Sequence, residues 1–341
     1  MLRDTVNEWH NTVDWPCLRI AKLDTRINDR LVMTLLVRNE VDVIEGNLRF
    51  HLDHGVDFIV VTDNGSSDGT TEILEEYVKK GVVHLIHEPS RVFHQTAWVN
   101  KMGQLACHQF NADLIFHADA DELWQPGSGS LKTELCRKKR VDVLSVPVRN
   151  MMMANKNGHE RFPHDIAYEV CSPIAKPVQK VMREVNWRSF LLYRYPNKVI
   201  YKTRQGHVDV VQGNHDINTN NCQRDFVKDY SWDIEILHFP VRGFEQFCKK
   251  IINNGEGLEN LSRHVRTEAF EAWHVKRWYS IYQHGKLGEE YMRLLDLEDY
   301  LKKGVLKPLN GQKRHALSYF EPNTHRHNDH STVSVADASS C

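Results

Sequence analysis

The sequence has no long apolar run, no excess of either charge and no closely spaced cysteine pair. Its longest apolar stretch, Leu31 to Val37, is far short of the roughly 20 residues that a bilayer-crossing helix requires. No transmembrane segment is therefore expected. Lys and Arg together number 44 against 45 Asp and Glu, a formal net charge of -1. With no basic field to release counterions, nucleic acid is not an expected partner. The cysteines, Cys17, Cys107, Cys136, Cys171, Cys222, Cys248 and Cys341, are odd in number and scattered, with no Cys-x-x-Cys spacing. That pattern favours reduced thiols over a disulfide frame or a zinc site. The start, Met1 to Glu8, lacks the basic opening and apolar core of a secretion signal, which gives a cytoplasmic expectation. What remains is an ordinary globular composition, 41% apolar and 26% charged over 341 residues, large enough for one α/β core and an appendage.

Hydrophobic periodicity supplies the organisation. Leu31 to Val37 reads as a buried strand, followed by polar Arg38-Asn39-Glu40 and then by Val41, Ile44, Leu48 and Leu52 at helical spacing. The unit repeats: strand Phe58 to Val61, loop Asp63 to Gly69, and a helix through Ile73, Leu74 and Tyr77 with Asp68 as its N-cap. A third strand (Val82 to Ile86), a helix from about Gln95 to Phe110 and a fourth strand (Leu114 to His117) follow. Alternation of this kind predicts a mainly parallel sheet with right-handed crossovers, flanked by helices. Further on, Val141 to Val148 and Ile234 to Phe239 read as strands, Val178 to Arg194 is ambiguous, and helical spacing runs from Phe244 to about Leu301. The expected division is an N-terminal extension (1–30, anchored by Trp9 and Trp15), a catalytic domain (31–243), a helical C-terminal lobe (244–321) and a disordered tail (322–341).

In such a sheet ligands bind beyond the carboxyl ends of the strands, where these polar clusters lie. Asp119-Ala120-Asp121-Glu122 follows the fourth strand directly. An isolated Asp-x-Asp mostly just solvates a loop. At a strand tip, two carboxylates can instead hold a hard divalent cation that keeps positions open for phosphate oxygens. Mg2+ or Mn2+ is the expected cofactor. This reading requires both carboxylates to face the open crevice and not to be neutralised by neighbouring arginines. The loop Asp63 to Thr70 admits two readings, a nucleoside contact or a plain strand-to-helix turn, with Asp63 placed at the strand tip itself.

Four ordered motifs, Leu35-Leu36-Val37-Arg38-Asn39-Glu40, His51-Leu52-Asp53-His54-Gly55-Val56-Asp57, Thr62 to Thr70 and His117 to Glu122, together resemble glycosyltransferase family 2. The resemblance is to the branch whose motifs read RNE, DNGSxDGT and DxDE, and it covers about residues 30 to 125. It implies the GT-A fold, with Val37, Arg38, Asn39 and Glu40 lining a nucleoside pocket. Asp63 and Asn64 would read the base or ribose, Asp119 and Ala120 would lie near ribose and metal, and Asp121 would be the direct metal ligand. The third ligand in this fold is commonly a histidine; His238 fits best and His215 is the alternative.

The resemblance also implies transfer of a sugar from a nucleotide-sugar donor, UDP-linked first among them, to a glycan or other hydroxyl acceptor with inversion. That reaction needs a base within reach of the acceptor hydroxyl. The family's usual acidic base motif is not evident, and Asp165, Glu169 and Asp216 remain as candidates. Arg91, Lys198, Lys202, Arg204 and Lys249 are basic residues that could face a departing diphosphate. Two rival readings are a nucleotidyltransferase acting on sugar phosphates and a non-catalytic carbohydrate-binding relative. The first normally carries a glycine-rich phosphate loop, and Arg38-Asn39-Glu40 has no glycine. The second gives no physical reason to keep two acids at one strand tip.

Overall fold

The computed structural model describes residues 29–90, 94–154, 161–174, 190–203, 208–218, 225–264 and 273–321. Trp9, Trp15, Arg91, Arg204, residues 178–189 and the tail from 322 lie outside that set.

Four parallel strands form one side of the larger sheet, with β3 at its edge: β1 (Leu31–Val37), β2 (Phe58–Asp63), β3 (Val83–His87) and β4 (Leu114–Asp119). They are joined through helices α1 (Ile44–Asp53), α2 (Thr70–Lys79) and α3 (Gln95–His108). β1 reads as an apolar run interrupted only by Thr34, because both of its faces are covered. Leu31, Met33, Leu35 and Val37 enter the core on the α1 side, while Val32 enters a second core with Val99, Met102 and Ala106 of α3. After β5 (Glu122–Pro126) and α4 (Leu131–Arg137), the chain adds β6 (Val143–Val146), and later β9 (Lys198–Lys202) and β10 (Lys228–Tyr230), to give the seven-stranded order β10-β6-β9-β4-β1-β2-β3. The smaller sheet, order β12-β8-β7-β11-β5, uses β7 (Val148–Met153), β8 (Ile166–Val170), β11 (Ile234–His238) and β12 (Leu306–Pro308). The α/β expectation therefore holds, and the sheet about β1 is parallel as expected.

The chain passes from the first sheet to the second at three places: between Asp119 and Glu122, at Pro147, and through residues 231–233. The single strand expected over Val141 to Val148 is thus two strands in different sheets. Pro147 has no N–H to offer a ladder, so the run breaks there. Two helix starts also differ from expectation. The first helix begins at Ile44, and Val41 lies in the preceding turn, 42% exposed. At the second, Gly69 holds the cap position with φ 102, a left-handed angle that suits glycine. Asp68 acts one residue earlier, accepting from the N–H (3.1 Å) and hydroxyl (2.6 Å) of Thr70.

Helices α5 (Phe244–His264), α6 (Trp273–Gln283), α7 (Leu287–Leu294), α8 (Glu298–Lys302) and α9 (Gly311–Leu317) carry the helical character expected after Phe244. The chain then closes back on the core. β12 pairs antiparallel with β8, and a Cβ at Gly46 of α1 would meet the Tyr319 carbonyl oxygen at 2.6 Å. Among the described residues, no helix is long and apolar enough to cross a membrane, and Cys107, Cys171 and Cys248 are free thiols.

One histidine locks α1 to the second sheet. His51 is fully buried; its Nδ1–H donates to the Asn47 carbonyl (2.9 Å) and its Nε2 accepts the Trp124 N–H (3.2 Å). Burial pushes its pKa down to about 3, against about 6.5 in an unfolded chain. Between those values the unfolded chain binds a proton that the folded one refuses. Stability is therefore complete above about pH 6.5 and falls as pH drops, by about 1.4 kcal/mol per unit from this residue. Urea unfolding between about pH 7 and 5 is expected to show a shallower loss for His51→Gln than for the wild type; matching slopes would refute a buried neutral imidazole.

Candidate active site

Register brings the expected residues to one edge of the large sheet. Val37 lies opposite Asp63, and Leu36 lies opposite Asp119, so the tips of β2, β1 and β4 end at nearly one level. The loops beyond β1 and β2 are laced together. Asn39, at φ 56, accepts the Ser67 N–H at Oδ1 (2.8 Å) and donates its own N–H to Ser66 Oγ (3.0 Å). The Glu40 N–H donates to Thr70 Oγ1 at 2.9 Å. Asp63 is buried, and its carboxylate already accepts from the Ser66 N–H (3.0 Å), the Ser66 hydroxyl (2.6 Å) and the Thr71 hydroxyl (2.5 Å). Asn64 donates to the Glu88 and Ser90 carbonyls at 3.1 and 2.7 Å. In this state both side chains shape their own loop. Arg38, beside them, keeps a buried Nε without a hydrogen-bond partner among the described residues.

The turn from Asp119 to Glu122 is held from three sides. Asn47 of α1 donates from Nδ2 to the carbonyls of Ala120 (3.0 Å) and Glu122 (2.8 Å). The Asp119 N–H donates to the Glu122 carboxylate at 3.1 Å. Lys198, buried at the start of β9, puts its ammonium 2.8 Å from Asp119 Oδ2 and 2.7 Å from Glu122. Burial pushes the Glu122 carboxyl up to about 8; Lys198 opposes the shift, and the charges of Asp119 and Asp121 add to it.

Asp121 is 4% exposed. Its Oδ2 lies 2.5 Å from Lys250 Nζ, 3.5 Å from Arg242 Nη1 and 3.7 Å from His238 Nε2. Burial works against its charge, but Lys250, His238 and Arg242 outweigh it and hold the carboxyl below the usual range. Arg242 is wholly buried and also grips Glu40 (2.5 Å), Asp42 (2.6 Å) and the Phe239 carbonyl (3.3 Å). His238 bonds through Nδ1 to Asn150 Oδ1 at 2.7 Å. Because that oxygen can only accept, Nδ1 carries the proton and the Nε2 lone pair is turned toward Asp121. Burial pushes this imidazole down to about 4, and Asp121 only partly offsets the shift, so it is neutral near pH 7.

The condition that arginine stay clear of the acids is not met: Arg242 lies beside Asp121, and Lys250 is closer still. Among the described residues no three His, Cys, Asp or Glu side chains converge tightly enough to hold a metal, since Asp119 is drawn to Lys198. Both acids are compensated as they stand, so a divalent ion would have to displace a cation from Asp121, and only two donors, Asp121 and His238, are left to hold it. A carboxylate oxygen and an oriented, unprotonated ring nitrogen face each other, and Asn150 fixes the tautomer from behind, as outer partners of ligating histidines do. His215, the alternative ligand, instead donates from Nδ1 to the Asn197 carbonyl at 3.0 Å.

The base candidates lie apart from one another. Glu169 on β8 is buried against Lys313, with Lys307 at 3.0 Å. It lies opposite Met151, whereas Asn150 lies opposite His238, and strand alternation puts Met151 and Asn150 on opposite faces. Glu169 therefore faces away from His238. Asp216 is half-exposed and takes the Lys228 ammonium on both oxygens at 2.7 Å. Asp165 accepts the Arg161 N–H at 2.7 Å, in the turn whose Phe162 ring lies 6.0 Å from the Arg242 guanidinium.

Of the basic residues, Lys249 is exposed on α5 and pairs with Glu245, one turn earlier, while its neighbour Lys250 reaches Asp121. Lys202 donates to the Lys139 carbonyl at 2.5 Å, and Lys198 serves the acid turn. Asn47, Asn150, Arg242 and Lys250 were not among the sequence candidates. Asn47 sits within the first motif helix, and its polarity amid Ile44, Leu48 and Phe50 was a readable signal. Removing one partner of a buried ion cluster costs about 3–5 kcal/mol, whereas an exposed helical pair contributes about 0.3–0.5 kcal/mol. Arg242→Met is thus expected to lose several kcal/mol in urea unfolding and Lys249→Met almost nothing; similar losses would contradict this cluster.

The profile described as Glycosyl transferase family 2 matches residues 36–213, just over half of the chain and all of the acid turn. No curated protein matches. Among solved structures, S. aureus TarS 1-349 in complex with UDP aligns over 81% of this chain and 92% of that chain, at 13% identity and a TM-score of 0.36. Another S. aureus TarS structure aligns over 36% of this chain and only 22% of that one, at 16% identity and a TM-score of 0.29. Glucosyl-3-phosphoglycerate synthase from Mycobacterium tuberculosis, in complex with Mn2+, UDP and glucosyl-3-phosphoglycerate, aligns over 41% of this chain and 50% of that chain, at 17% identity and a TM-score of 0.27. At these scores the structural likenesses carry no weight, and the assignment rests on the profile. The chain belongs to glycosyl transferase family 2 and is a glycosyltransferase.

Proposed function

We propose that this glycosyltransferase moves a sugar from a nucleoside-diphosphate sugar, UDP-linked first among them, to an acceptor hydroxyl with inversion, and that Asp121 and His238 hold a divalent cation, Mn2+ or Mg2+. The observation that supports this most is the pairing of Asp121 Oδ2 with His238 Nε2 at 3.7 Å, with the ring turned by Asn150. When bound, such a cation neutralises a departing diphosphate. The remaining roles fall to the chain's own residues. Asn47 and Lys198 keep the acid turn in place. The edge formed by Val37 to Glu40, Asp63 and Asn64 receives the nucleoside, with the serine and threonine bonds of Asp63 available for exchange. Residues 31–243 make up the catalytic domain in this reading, and 244–321 form the helical part that closes it.

For the base we put Asp165 first among the three candidates. Its turn packs on Arg242 through Phe162, and thereby on the Asp121 cluster, whereas Glu169 is neutralised on the opposite face of its sheet. Glycan acceptors carry the hydroxyl that this reaction needs.

Two experiments test the reading. UDP is expected to raise the melting temperature of the wild type more with Mn2+ than without, since saturation at about 100 times Kd adds about 2.7 kcal/mol. Asp121→Asn and His238→Ala should stay folded yet lose the Mn2+-dependent part; no shift with any nucleoside diphosphate would sink the donor assignment. Separately, Asp165→Asn should lower kcat by about 100-fold or more, as loss of a general base does, with an unchanged melting temperature. Full turnover in that variant would return the role to Asp216.

A further inference from the structure

Two cations meet Asp121, and they are held very differently. Arg242 is fully enclosed and fixed by Glu40, Asp42 and the Phe239 carbonyl. Lys250 comes from the second turn of α5, its side chain is 29% exposed, and its ammonium lies 2.5 Å from Asp121 Oδ2. A lysine is a compact charge on a flexible four-carbon stem, so this contact can open without moving the helix. The oxygen it covers is the one that faces His238 Nε2 at 3.7 Å. Arg242 Nη1 stands off the same oxygen at 3.5 Å, whereas the ammonium at 2.5 Å takes up the direct contact that a divalent ion would need, and two cations cannot both hold that contact in a poorly solvated site.

We propose that Lys250 is a displaceable internal counter-ion: it occupies Asp121 Oδ2 until a divalent cation arrives, then swings off toward the anionic phosphates of the donor. The inference rests on the metal and donor assignment above and adds a positioning role for a residue on the helix after the catalytic strands. Two consequences follow. Without nucleotide, a divalent ion must expel Lys250 and binds weakly. With nucleotide, the displaced ammonium finds a new anion, so metal and nucleotide each tighten the other's binding by the same factor.

The test measures Mn2+ binding to the full chain, by the electron paramagnetic resonance signal of free Mn2+, with and without UDP and without any turnover. Lys250→Met, and Lys250→Gln as a second neutral variant, are expected to bind Mn2+ about tenfold or more tighter than the wild type in the absence of UDP, within the range usual for coupled sites. Lys250→Arg keeps the charge and should bind as weakly as the wild type. UDP should tighten Mn2+ binding in the wild type and much less in the neutral variants, with circular dichroism confirming that each is folded. If both neutral variants bind Mn2+ no better than the wild type while Asp121→Asn still abolishes binding, the counter-ion role is overturned and the metal site survives. If Asp121→Asn binds Mn2+ like the wild type, the metal assignment falls and takes Lys250 with it.

Discussion

A carboxylate that is both buried and charged dominates this molecule. Asp121 is shut away from water at the turn joining the two sheets, and an isolated ion there would be expelled or neutralised. Its charge survives because Arg242 and Lys250 meet it. Arg242 extends that compensation to Glu40 and Asp42, so the loop after β1, the exit of β11 and the acid turn form one electrostatic unit. Replacing any member with a neutral group strands charges on the others. The constraint falls on three segments far apart in sequence.

The sheets are arranged around the same point. β4 ends at Asp119 in one sheet and β5 begins at Glu122 in the other, while β11 returns antiparallel to β5 and sets His238 opposite Glu122. A two-residue turn thus lies where the sheets separate. Two amides hold the geometry. Asn47 fixes the turn's backbone from α1, and Asn150 fixes the tautomer of His238 from β7. Each acts through another group rather than on a substrate, and each is buried enough for its hydrogen bonds to be strong and directional.

The central strands were legible because residues covered on both faces leave a nearly continuous apolar run, as Leu31 to Val37 does apart from Thr34. The acid turn was legible for a related reason: polarity appears abruptly where such a run stops. Pairings between distant segments were not. β5 carries Glu122-Leu123-Trp124-Gln125-Pro126, buried throughout, and so lacks the alternation that marks a half-exposed strand. β8 and β12 are short and find each other across more than a hundred residues. Lys250 was hidden for a local reason. It follows Lys249 on a helix rich in polar residues, and the choice of which lysine faces the core turns on a rotation of about 100° per residue about an axis that only packing fixes.

The contrast between the two cations also bears on the role proposed for this turn. If Arg242 alone compensated Asp121, the carboxylate would be permanently satisfied and could respond to nothing. If Lys250 alone did so, its departure would leave a buried anion with no support, and the turn would shift whenever a ligand came and went. In the proposed role, a fixed partner would preserve the geometry and a movable one would free the direct contact on a single oxygen. Preorganised charge of this kind needs little reorganisation when negative charge develops on a leaving group. The histidine completes the arrangement: being neutral, it adds no positive charge of its own near pH 7, and it can bind a cation without first losing a proton.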